Sequence, residues 1–69
     1  MGLFSFESKQ VKEWKKLAKS GDMEAQYHLA RAYANGKGVS INMKRAVDYC
    51  VQSAEQEYAP AQALLAHFY

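Results

Sequence analysis

AQYHLARAY at residues 25–33 returns as AQALLAHFY at residues 61–69, a self-match displaced by 36 positions. Five residues stand in both copies: Ala25 and Ala61, Gln26 and Gln62, Leu29 and Leu65, Ala30 and Ala66, Tyr33 and Tyr69. The positions between them differ freely, so the copies share a shape and not a surface. A period of about 20 to 50 residues marks stacked supersecondary units, each burying its apolar stripe against a neighbour instead of in a private core. Arrays of this kind expose long surfaces suited to macromolecular partners.

Around the two copies the chain reads as four helices. From about Ser8 to Lys19, Val11, Trp14, Leu17 and Ala18 form one helical stripe, while Lys9, Lys12, Lys16 and Lys19 occupy the other side and Gly21 supplies a left-handed stop. Asp22 stands as N-cap to a helix running from Met23 to about Ala34, where Asn35-Gly36-Lys37-Gly38 turns the chain and Val39 plugs the corner. Asn42 caps a third helix, about Met43 to Gln56. Its Met43, Ala46, Val47, Tyr49, Cys50, Val51, Ser53 and Ala54 cover half the circumference, wide enough to touch the helix before and the helix after. Ala59-Pro60 opens the fourth helix, since proline lacks an N–H that a first turn does not need.

A chain of 69 residues holds one domain and hides only about 60% of its unfolded surface, which leaves no room for a deep catalytic cavity. The formal charge of +2 is too small to imply nucleic acid, but it is unevenly spread. Residues 1–20 carry five lysines against Glu7 and Glu13, net +3; residues 46–69 carry Asp48, Glu55 and Glu57 with no base, net −3. Cys50 is the one cysteine, so neither an internal disulfide nor a zinc set is available. MGLFSFESK lacks the apolar core of a secretory signal, and no stretch is long enough to span a membrane, which points to a cytoplasmic protein. The Leu3, Phe4 and Phe6 cluster is expected to dock on the first helix in preference to a membrane.

Over residues 11–69 the chain resembles the Sel-one-like repeat, a relative of the tetratricopeptide repeat. The resemblance rests on Ala25, Leu29, Ala30 and Tyr33, on Gly36-x-Gly38-Val39, on Ala46, Tyr49 and Ala54, and on Ala59-Pro60-Ala61-Gln62. It implies an all-α solenoid of antiparallel helix pairs wound as a right-handed superhelix. In that register residues 1–7 are an N-terminal arm, 8–20 a half repeat, 22–57 the complete 36-residue repeat and 58–69 the start of the next. It also implies an adaptor that presents a concave surface to a protein or peptide partner. Glu57 departs from the family's usual glycine, and a residue with a Cβ held in the left-handed region costs about 1 to 2 kcal/mol. Cys50 stands where a large aromatic is common, which predicts a loosened contact or a neighbour that fills the gap.

On the second helix Glu24, Tyr27, His28, Arg31 and Asn35 share the side away from Leu29 and Tyr33, and on the fourth Pro60, Ala63, Leu64 and His67 are their counterparts. Tyr27, His28, Arg31, Leu64 and His67 are therefore the candidate partner-binding residues, weighed against an ordinary solvated face. Trp14, Tyr33, Tyr49 and Tyr69 are assigned to helix packing. Neither histidine has a nucleophile and an orienting carboxylate at recognisable spacing, so no catalytic residue, cofactor or metal is expected. Binding to an anionic surface, nucleic acid or membrane, through the lysines of the first helix is the alternative function, and it would weaken steeply with salt. The apolar fourth helix, with Leu64, Leu65, Phe68 and Tyr69, suggests either a longer array or self-association through the tail.

Overall fold

The computed structural model describes residues 7–69, so the docking expected of Leu3, Phe4 and Phe6 lies outside the described residues. Four helices follow one another, α1 (Lys9–Lys19), α2 (Met23–Asn35), α3 (Met43–Glu55) and α4 (Ala59–Phe68), and the described residues contain no strand. Three starts are fixed by short polar side chains that accept an otherwise unpaired backbone N–H. Ser8 Oγ accepts from Val11 N at 3.1 Å, Asp22 Oδ1 from Ala25 N at 3.0 Å, and Asn42 Oδ1 from Arg45 N at 3.1 Å. Each such cap stabilises its helix by about 1 kcal/mol. α4 begins at Tyr58, which makes no side-chain cap, and relies on Pro60 in its first turn.

The turns are built from residues with positive φ. Gly36 (φ 67°) ends α2, and its N–H donates to Ala32 O. Gly38 (φ 80°) is close-packed as well as left-handed: a Cβ there would lie 2.6 Å from Ser8 Oγ. That approach lets Ser8 N donate to Gly38 O at 2.7 Å and Glu7 pair with Val39 in an isolated bridge, which ties the entrance of α1 to the corner between α2 and α3.

Each helix packs on its sequence neighbours, α1 on α2, α2 on α3 and α3 on α4. Val11, Ala18, Ala25, Leu29, Ala32, Tyr33, Val39 and Ala46 form the core, with Trp14, Tyr49 and Phe68 packed against it. Four of those eight buried positions are alanine, so the helices approach closely and the core depends on fit more than on bulk. Tyr49 stacks on Tyr33, ring centroids 5.9 Å apart. Ser53, fully buried on α3, donates to Met23 O at 2.7 Å, which satisfies its hydroxyl and pins α3 to the start of α2. As the breadth of its apolar face suggests, α3 touches both α2 and α4.

Three apolar residues lie away from their expected places. Leu17 is 41% exposed, because it sits about 100° round α1 from Ala18, beyond the line that α2 covers. Met43 is exposed in the first turn of α3. Tyr69, assigned to packing, is 86% exposed, in contrast to Tyr33 at 4%; no α3-like helix lies over it among the described residues.

The backbone pattern recurs at the spacing of the sequence match. Gln26 Nε2 donates to Ala18 O at 3.3 Å, and Gln62 Nε2 donates to Ala54 O at 3.3 Å. Gly21 N donates to Ala18 O and Glu57 N to Ala54 O, both at 2.9 Å. Ser20 and Gln56 end their helices with closely similar dihedrals, φ −88° and −90°. Glu57 adopts φ 62°, so the left-handed turn is kept despite its Cβ and the strain is present. Cys50 is fully buried with Sγ 3.2 Å from Ala61 O, so a neighbouring helix fills the space that a larger side chain would take, and burial pushes the thiol pKa up.

Candidate functional site

Aromatic and charged side chains gather where α1 meets α2. Trp14 of α1 stacks on His28 of α2, ring centroids 5.0 Å apart and planes 20° from parallel. His28 contacts Tyr27 at 5.5 Å, and Tyr27 meets Tyr58 edge-on at 5.6 Å. Four rings thus run continuously from α1 across α2 to the entrance of α4. Arg31, one turn beyond Tyr27, holds its guanidinium over the Tyr27 ring at 5.7 Å, a cation–π contact that orients the charge.

Beside the Trp14–His28 stack opens a groove of about 390 Å³, bordered by Gln10 and Val11 of α1, Arg31 and Asn35 of α2, and Lys37 in the following loop. Its floor is apolar and its rim is polar. Among the described residues the ion pairs are Lys15–Glu7 and Lys44–Asp48, so neither Arg31 nor Lys37 has a carboxylate partner at ion-pair distance. Two cations flanking an aromatic floor make the groove electropositive, suited to a carboxylate beside an apolar or planar group.

Of the candidate residues named from sequence, the structure brings Tyr27, His28 and Arg31 into one cluster. Tyr27 and His28 are half-buried by their ring contacts and do not project outward as expected; Arg31 is exposed. Leu64 is half-buried and His67 exposed on α4, and neither borders this groove. At the entrance of α4 it is Tyr58 that meets the cluster, edge-on against Tyr27. Nearby acids and burial raise the Tyr58 phenol pKa, burial first and then Glu24.

Trp14, Gln10 and Lys37 were not expected in a site. A signal for Trp14 exists: residues 14 and 28 lie equally far from Gly21, so an antiparallel hairpin turning there sets them side by side. Lys15, which stands outside the row of Lys9, Lys12, Lys16 and Lys19, donates from Nζ to Glu7 Oε2 at 2.7 Å, and its pKa is raised chiefly by that bond. No three histidine, cysteine, aspartate or glutamate side chains are grouped to hold a metal among the described residues, and no described helix is long and apolar enough to cross a membrane. Comparison of the chain with protein-family models, with curated proteins and with solved structures finds no match.

Proposed function

We propose that the chain is a non-catalytic protein-interaction module, a segment of α-solenoid in the manner of the Sel-one-like repeats, whose α1–α2 groove receives an acidic segment of a protein partner. The carrying observation is the Trp14–His28 stack flanked by Arg31 and Lys37, two cations without carboxylate partners among the described residues. An aromatic floor supplies contact area at low entropic cost, and the guanidinium, already oriented by Tyr27, engages a carboxylate through two parallel hydrogen bonds. The solenoid reading draws support from the hydrogen bonds and turn geometry that recur 36 residues apart. In this reading the helices set geometry and the groove sets specificity, with Leu64 and His67 of α4 extending the partner's path.

Trp14 is the only tryptophan and lies in the groove, so its emission reports occupancy directly. Pools of acidic, neutral and basic peptides titrated into the protein should shift that emission in the acidic pool alone. Arg31→Glu with Lys37→Glu, both exposed, should abolish the shift. No response to any pool, or an undiminished response in the double variant, refutes the proposal.

A further inference from the structure

A second groove, of about 450 Å³, runs between α3 and α4, lined by Val51, Ala54, Glu55, Gln62, Leu65, Ala66 and Tyr69. Displaced by 36 positions these residues are Lys15, Ala18, Lys19, Gln26, Leu29, Ala30 and Tyr33, the corresponding surface of α1 and α2. There Ala18, Gln26, Leu29, Ala30 and Tyr33 are buried, and α3 is the cover. Tyr49 stacks on Tyr33, Arg45 lies over the same ring at 5.8 Å, and Gln56 Nε2 donates to Gly21 O and Gln26 Oε1, each at 2.9 Å. The molecule itself shows what kind of element fills this groove.

The counterpart of α3 in the sequence match is α1. At the covering positions, α1 carries Lys9 for Arg45, Gln10 for Ala46, Glu13 for Tyr49, Lys16 for Gln52, Leu17 for Ser53 and Ser20 for Gln56, and all six are exposed. Where Leu17 replaces the smaller Ser53, the residue matching Met23 is the smaller Ala59, so the volumes compensate. The charges match as well. Lys9 would lie over Tyr69 as Arg45 lies over Tyr33. Gln52 and Lys19 line one depression between α1 and α3, and their counterparts are Lys16 and Glu55, opposite in sign. Residues 1–20 carry net +3 and residues 46–69 net −3, so this orientation attracts while tail against tail repels.

We infer that the α3–α4 groove binds α1 of a second copy, head to tail, in the register that α3 takes on α1 and α2. The inference rests on the unit equivalence used in the proposed function but not on the α1–α2 groove. Gln10 and Glu13 stand where Ala46 and Tyr49 stand, so the contact is short of apolar area, weak and salt-sensitive. Being heterologous, the contact leaves a free head and a free tail on the dimer, and assembly proceeds beyond the dimer.

Sedimentation velocity of the full chain from micromolar to millimolar concentration tests this by charge exchange at two exposed residues, with Trp14 titration by acidic peptide as a separate readout of the other groove. The wild-type weight-average coefficient should rise with concentration and fall back with added salt. Lys16→Glu alone and Glu55→Lys alone should each weaken association by about tenfold, roughly the effect of turning one attractive pair repulsive. Mixing the two variants restores opposite signs at every contact and should restore association. A wild type that stays monomeric throughout, a Lys16→Glu variant that associates undiminished, or a mixture no stronger than its components overturns the inference.

Discussion

The α1–α2 pair and the α3–α4 pair share the hydrogen bonds and the left-handed turn between their helices and meet different fates. Both close on a glutamine that donates to the carbonyl eight residues back, and both turn through a left-handed residue after the first helix. Yet Leu29 is 0% exposed while Leu65 is half-buried, and Tyr33 is covered while Tyr69 is open. Local sequence sets the turn and the helix pairing, because caps, glycines and side-chain amides act within a few residues. Burial is set by what lies on top, and among the described residues the first pair has α3 over it while no such helix covers the second.

The largest consequence concerns the matched leucines. Leu29→Ala should cost about 2 to 5 kcal/mol, the range for a fully enclosed leucine, and Leu65→Ala about 1 kcal/mol or less, because its site is already open. Urea denaturation of both variants measures the gap. Equal losses would mean that the second pair is as well covered as the first.

The matched turns come next. Gly21 (φ 98°) has nothing within 4 Å of where a Cβ would stand, so Gly21→Ala pays only the backbone term, about 1 to 2 kcal/mol. Glu57→Gly should recover about 1 kcal/mol by relieving the same conformation, less the flexibility that glycine adds to the unfolded chain. Denaturation midpoints moving in opposite directions would establish the two turns as equivalent; a destabilised Glu57→Gly would separate them.

The smallest effect distinguishes Lys15 from its counterpart Val51. The bond from Glu7 raises the Lys15 pKa above its ordinary 10.5, so the folded state holds that proton more tightly than the unfolded chain does. Its contribution is complete below the unfolded value and disappears as pH rises through the folded one. Wild type should therefore lose stability as pH rises above the ordinary lysine value of 10.5 more than Glu7→Gln does, followed by thermal melts. Parallel losses would show that the pair contributes nothing.

Much of this was legible in the chain. Asp22 and Asn42 announce their helices because capping is a three-residue matter, and Glu57 announces its strain because the matching position is glycine. The Trp14–His28 stack was not, since a packing stripe and a site wall share one spacing until the register of α1 on α2 is known. Leu17 and Tyr69 were misplaced for the related reason that apolar character does not say whether a neighbour arrives. The face of α2 placed Arg31 among the candidates, whereas Lys37 borders the same groove only through the fold of the Gly36–Gly38 corner.

The equivalence of the two pairs is tested most directly by a NOESY spectrum of the side-chain amides of Gln26 and Gln62. Equivalent pairs give cross-peaks from Gln26 to Ala18 and from Gln62 to Ala54, matched in pattern, with Leu29 and Leu65 on the same side of their helices. Cross-peaks to Ala18 with none to Ala54 would contradict the equivalence, and the head-to-tail register with it.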